Sequence, residues 1–158
     1  MCIAHAIRHI HRCGVIHRDI KAANVLLDKE GMPYLMDFGV SRLLTPENRY
    51  TQYIGTVSHM APEVIRSNDY GTKADVFSYA ILLYEVGEKR HAYHNASKEP
   101  KIVTKKILRG ERPFFSSETV PMAMKMLITQ CWSPNPQDRP SFEEIFDTFC
   151  QGKTYFKG

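Results

Sequence analysis

The sequence predicts a mainly α-helical fold with one small β-hairpin, and three observations carry that prediction. Ile3, Ile7 and Ile10 recur at helical spacing; from Val76 to Tyr84 only Ser78 is polar; and the short apolar runs Val25-Leu26-Leu27 and Tyr34-Leu35-Met36 flank a turn-rich stretch. The isoleucines fall on one face of a helix over about residues 1 to 12, and Gly14 sits where such a helix stops. Between the two apolar runs, Asp28-Lys29-Glu30-Gly31-Met32-Pro33 carries the Gly and Pro that punctuate a turn, which closes the hairpin. A helix starting near Thr72 is apolar all round and must lie inside the domain. After a polar, irregular stretch over 88 to 100, residues 101 to 109, 121 to 131 and 141 to 150 read as helices. The last opens with Pro140-Ser141-Phe142-Glu143-Glu144, in which Ser141 and Glu144 form a capping box. Repeats, low-complexity tracts and linkers are absent from the sequence.

A chain of 158 residues suffices for one domain that buries roughly 70% of its unfolded surface. Its 43% hydrophobic and 24% charged residues are ordinary for a globular protein, and no apolar run approaches the ~20 residues of a membrane-spanning helix. The net charge of +4 is spread over both signs without a block of five like charges, so a nucleic-acid partner is not expected. Cys2, Cys13, Cys131 and Cys150 form no C-x-x-C pair, and the N-terminus has no signal-peptide pattern; reduced thiols and a cytoplasmic location are the expectation. The sequon Asn95-Ala96-Ser97 would matter only on a secretory route. His5 and His9 stand one helical turn apart without an evident third ligand, and read as surface or packing residues.

The chemistry concentrates in two stretches. Ile16-His17-Arg18-Asp19-Ile20-Lys21-Ala22-Ala23-Asn24 is followed by Met36-Asp37-Phe38-Gly39, which places two carboxylates and an amide where magnesium and a phosphate could meet. Each tripeptide alone is common. Together they precede, in order, Gly55-Thr56, Met60-Ala61-Pro62-Glu63, Asp75-Val76-Phe77-Ser78, Cys131-Trp132 and Asp138-Arg139-Pro140. This ordered set resembles the eukaryotic protein kinases, and the resemblance runs from about Met1 to Phe149. The fold it implies is the helical C-terminal lobe of the kinase fold, with the small hairpin at the catalytic site.

The resemblance implies ATP and Mg2+ as cofactors and a protein hydroxyl as acceptor. Asp19 matches the catalytic base, Lys21 a donor to the transferring phosphate, and Asn24 and Asp37 hard oxygen ligands for magnesium. Thr56 would line the substrate site and contact Asp19. Glu63 and Arg139 would form a buried ion pair, Asp75 would accept backbone hydrogen bonds from the catalytic loop, and His17 and Phe38 would pack in a column behind the site. Thr51 is the expected phosphate acceptor in an activation loop, with Tyr50 and Tyr53 behind it and Arg18 as the cation that a loop phosphate would meet.

Lys21-Ala22-Ala23 is similar to serine/threonine kinases, and Ser58-His59 stands where tyrosine kinases usually carry Lys-Trp. Cys131-Trp132 and Arg139-Pro140-Ser141-Phe142 resemble tyrosine kinases, a mixture typical of the tyrosine-kinase-like group; serine/threonine specificity is the expectation. Ala80 replaces the usual Gly of the buried helix, and Arg90-His91-Ala92-Tyr93-His94-Asn95 replaces a short Pro-Phe segment. No G-x-G-x-x-G loop, Val-Ala-x-Lys strand or partner Glu is present. Residues 1 to 158 are therefore expected to be a partial kinase domain without the N-terminal β lobe, inactive alone and binding ATP only when that lobe is supplied. The alternative is a noncatalytic module that binds kinase substrates or regulators.

Overall fold

The computed structural model describes residues 1–39, 41–43, 56–68, 70–95 and 99–152. Among these residues it is mainly α, with six helices and two two-stranded antiparallel sheets. In chain order the elements are α1 (Cys2–Arg12), β1 (Val15–Ile16), β2 (Val25–Leu27), β3 (Pro33–Leu35), β4 (Arg42–Leu43), α2 (Pro62–Ser67), α3 (Thr72–Glu88), α4 (Pro100–Leu108), α5 (Met122–Cys131) and α6 (Phe142–Cys150). The helices expected near 1–12, 72, 101–109, 121–131 and 141–150 are present, with shifts of a residue or two at their ends.

Helix α1 buries Ile3, Ala4 and Ile7 against α6. It ends as expected at Gly14, whose φ of +71° is a left-handed conformation that costs a glycine little. In α6 the predicted capping box is complete: Ser141 Oγ accepts from Glu144 N (3.3 Å), and Glu144 Oε2 accepts from Ser141 N (2.7 Å). Ser141 N and Ser141 Oγ, both donating to Oε2, draw the Glu144 carboxyl below its ordinary range.

Helix α3 runs through the middle of the core. Ala74, Val76, Phe77, Tyr79, Ala80, Ile81 and Tyr84 are all buried, and the helix packs on α5 through a centre that includes Ile128, Cys131 and Trp132. The methyl group of Ala80 is accommodated there with no exposed surface. Burial pushes the Cys131 thiol up to about 12, which leaves it an inert packing group. At the C-terminal end of α3, Glu88 accepts Ser117 N (2.9 Å), Ser116 N (3.0 Å) and Ser116 Oγ (2.9 Å), and pairs with Arg90 at 2.9 Å. Burial alone would raise this carboxyl, but the four donors outweigh it and hold it low.

The hairpin pairs Val25 with Leu35, Leu26 with Tyr34 and Leu27 with Pro33. Asp28 organises its turn, its Oδ1 accepting Glu30 N at 3.0 Å and Met32 N at 2.8 Å. Two features lay beyond the sequence reading. A second sheet pairs Val15 with Leu43 and Ile16 with Arg42, and two-residue strands carry no periodicity to detect. Helix α2 is only six residues long, yet Pro62 at its first turn and left-handed Asn68 at its end (φ 55°) are ordinary helix boundaries.

Arg139 anchors the junction of α2, α3 and the turn before α6. Its side chain is fully buried and grips Glu63 through two bonds, Nη1 to Oε1 at 2.6 Å and Nη2 to Oε2 at 2.9 Å. It also donates to the carbonyls of Ser133 (2.8 Å) and Lys73 (2.9 Å), and the Lys73 ammonium donates in turn to the Arg139 carbonyl. A buried charge stripped of its partner costs about 3 to 5 kcal/mol, whereas removing both members is far cheaper. Glu63→Gln is therefore expected to lose about 3 kcal/mol of unfolding free energy, and Glu63→Gln combined with Arg139→Met less than the two single losses added. Urea unfolding of the three variants checks this, and simple additivity would contradict a coupled pair.

Candidate functional site

The segment from Ile16 to Asn24 has almost no regular structure of its own, so its shape is imposed from outside. Asp75, one turn into α3 and 1% exposed, supplies the main restraint. Its Oδ2 accepts His17 N at 2.8 Å and its Oδ1 accepts Arg18 N at 2.9 Å, while His11 Nε2 meets Oδ2 at 2.8 Å. One buried carboxylate thus takes two consecutive backbone donors and a ring donor, and a buried carboxylate is tolerable only when so paired.

Those two bonds fix Arg18 in a left-handed conformation, φ 74°, a position that a non-glycine residue adopts only under outside restraint. The Arg18 side chain folds inward, 5% exposed, and its guanidinium lies 4.2 Å over the Tyr70 ring. His17 is fully buried and bridges to the second motif: its Nε2 faces Met36 O at 3.1 Å, and its Nδ1 accepts Asp19 N at 3.4 Å. Phe38 touches His17 edge-on at 5.0 Å, but 48% of it remains exposed, so the expected column is buried at His17 and open at Phe38.

Turning the chain at Arg18 brings Asp19 outward beside Lys21 and Asn24. Lys21 Nζ lies 2.7 Å from Asp19 Oδ2. Asn24 Nδ2 donates to the same oxygen at 2.9 Å and to the Asp19 carbonyl at 2.7 Å. Asn24 ends a single 3-10 turn, Ala22–Asn24, and its carbonyl accepts Met36 N at 2.8 Å. That bond ties the 16–24 stretch to the residue before Asp37. Asp37 is exposed and left-handed, φ 62°, with Gly39 N donating to its Oδ1 at 3.2 Å.

The donor set suits a hard cation. The Asn24 amide nitrogen is used on Asp19, so its carbonyl oxygen is directed elsewhere, and Asp37 keeps a carboxylate oxygen beyond the one that Gly39 meets. Among the described residues no cluster of three His, Cys, Asp or Glu side chains could hold a metal alone. Two protein oxygens with the remaining positions left to water and phosphate is the pattern that magnesium takes. On the hairpin that follows Asn24, Leu26 and Tyr34 pair across the strands, both more than half exposed.

Thr56 is exposed at the start of a 3-10 turn, Val57–His59, and lines a small cleft with Arg18, Asp19, Tyr70 and Asp75. Tyr50, Thr51 and Tyr53 lie outside the described residues. His11 was missed from sequence, because 64 positions separate it from Asp75 and no local pattern signals the contact. The same holds for Tyr70 beneath Arg18.

A sequence model of the protein kinase domain matches residues 1–149. The chain is 38% identical over 148 residues to a probable LIM domain-containing serine/threonine-protein kinase of Dictyostelium discoideum, covering 92% of this chain and 22% of that protein. It is 38% identical over 144 residues to the RGS domain-containing serine/threonine-protein kinase A of the same organism, covering 90% and 12%. With a serine/threonine-protein kinase of Arabidopsis thaliana it shares 38% identity over 151 residues, 94% of this chain and 26% of the relative. The chain thus spans well under a third of the length of each of these three relatives.

Asp75→Asn keeps the shape but offers one acceptor oxygen where the carboxylate offered two. Either the His17 or the Arg18 N–H is then left buried and unpaired, at about 1 to 3 kcal/mol. Chemical denaturation is expected to show a loss of that size, and a change below half a kcal/mol would mean that the loop holds itself.

Proposed function

Because the chain belongs to the protein kinase domain family, we propose that it carries the catalytic face of a serine/threonine kinase of the tyrosine-kinase-like group. The reaction is transfer of the γ-phosphate of ATP to a hydroxyl of a protein substrate. The observation that carries the reading is the Asp19 carboxylate held between Lys21 and Asn24 on a backbone turn fixed by Asp75.

Phosphoryl transfer asks for positioning and charge neutralisation more than for covalent chemistry. Both donors to Asp19 converge on Oδ2, so Oδ1 is the oxygen that would receive the proton of a substrate hydroxyl. Lys21 places a cation beside that carboxylate, where the charge of a transferring phosphate would also lie. Asn24 and Asp37 would hold Mg2+, which when bound neutralises phosphate charge. The exposed pair Leu26 and Tyr34 would lie against the base of the nucleotide. Thr56 would border the acceptor peptide. Serine/threonine preference draws support from the names of the three relatives and from Lys21 next to Ala22-Ala23. A noncatalytic binding module would need none of the four polar groups in this arrangement.

Radiolabelled transfer to serine, threonine and tyrosine peptides by the full-length protein carrying this chain tests the reading. Asp19→Asn is expected to cut the rate by about 10²- to 10⁴-fold, the usual contribution of a general base. Undiminished transfer by Asp19→Asn would remove Asp19 from the chemistry, and labelling of tyrosine alone would overturn the acceptor class.

A further inference from the structure

Residues 111–117 have no regular secondary structure and are pinned by side chains. Tyr84 Oη and Arg90 Nη2 each donate to the Phe114 carbonyl at 3.1 Å. Glu88, its side chain 1% exposed, accepts the N–H of Ser117 at 2.9 Å and that of Ser116 at 3.0 Å. Its Oε2 also accepts the Ser116 hydroxyl at 2.9 Å and lies 2.9 Å from Arg90 Nη2. A serine hydroxyl and a cation therefore meet on one buried oxygen, in a cluster that takes no part in the chemistry at Asp19.

Arg90 is only partly used. Its Nη2 serves both Glu88 and Phe114, while its Nε is buried without a hydrogen bond. A phosphate takes an arginine through two parallel bonds, and Nε with Nη2 forms one edge of that fork. Ser116 is exposed and stands on irregular backbone, where an enzyme can reach it. Its neighbour Ser117 is half-buried, and the Ser117 hydroxyl is engaged with Thr119 Oγ1 at 2.6 Å. Of the two serines, Ser116 is the one placed beside the arginine.

We propose that Ser116 is a phosphorylation site, and that a phosphate there takes Arg90 from Glu88 and releases residues 116 and 117. ATP supplies the phosphoryl group through a serine kinase. The Ser116 Oγ–P bond forms as the bond from that phosphorus to the bridging oxygen of ADP breaks, and the hydroxyl proton goes to the base of the enzyme that acts. Any serine kinase that reaches the loop can do this, so the site does not depend on the chemistry at Asp19. The modification replaces a hydrogen-bond donor with about 1.5 to 2 negative charges at pH 7. A phosphate then stands beside a buried carboxylate whose ion-pair partner among the described residues is Arg90. Arg90 turns to the more highly charged group, and repulsion separates the two anions. Glu88 belongs to the rigid helix α3, so the irregular segment is the part that moves. Phe115, stacked on Trp132 with ring centroids 5.7 Å apart, is next in line to feel the change.

Mass spectrometry of the full-length protein, isolated from its own cells with phosphatases inhibited, is expected to find phosphate on Ser116. Residue-resolved hydrogen exchange then compares this protein before and after phosphatase treatment, with Ser116→Ala prepared in the same way to control for phosphates elsewhere. The phosphate is expected to speed exchange at the amides of residues 116 and 117 by about tenfold while α1 and α6 stay unchanged. Ser116→Ala removes the hydroxyl without adding charge, and is expected to alter those amides by less than about threefold. Phosphorus NMR reads the contact with Arg90: the phosphoserine is expected to titrate at lower pH in the native sequence than in Arg90→Gln, because a neighbouring cation favours the dianion. Absence of phosphate at Ser116, exchange indifferent to the phosphate, an equal effect of Ser116→Ala, or a phosphate titration unchanged by Arg90→Gln would each overturn the proposal.

Discussion

A carboxylate buried in the middle of the protein is the constraint on which the site depends. Asp75 sits on α3, the helix with apolar groups on nearly every side, where an unpaired charge is untenable. Its stability and the shape of the 16–24 stretch are therefore the same fact: the carboxylate is tolerated because His11, His17 N and Arg18 N satisfy it, and those backbone donors are turned inward because the carboxylate is there. The left-handed Arg18 follows from that arrangement. So does the outward placement of Asp19, one residue on, beside Lys21 and Asn24.

The remaining polar groups of α3 extend the same logic. Ser78, Glu85 and Glu88 each leave the helix to hold a segment that has little structure of its own: the turn at His59, the loop at Ala92 and the irregular stretch at Ser116 and Ser117. Arg139 performs the reciprocal task from outside, reaching in to Glu63 and to the first turn of α3. Irregular backbone around the site is thus paired to buried side chains of one rigid helix, which is how a loop can present polar groups in fixed geometry.

Much of this was legible in the sequence, and for physical reasons. The nine-residue run from Val76 to Tyr84 with one polar member can only be a buried helix, and Ser141 three residues before Glu144 can only cap its own helix start. The polar cluster Asp19, Lys21 and Asn24 was visible because its members are close in sequence. Illegible were contacts between distant positions, such as His11 with Asp75 or His59 with Glu85, because periodicity and spacing carry no information across 64 or 26 positions. Phe38 shows the same limit from the other side: the motif named a packing partner, His17, but not how much of the ring would stay open.

If the 16–24 stretch is held by α3, its amides should open only when α3 does. Native-state hydrogen exchange measured against denaturant separates local from global opening. The account predicts that the amides of His17 and Arg18 merge with those of the centre of α3, exchanging in the slowest class with the same denaturant dependence. Exchange of His17 and Arg18 through small, denaturant-independent fluctuations, while α3 stays closed, would contradict it.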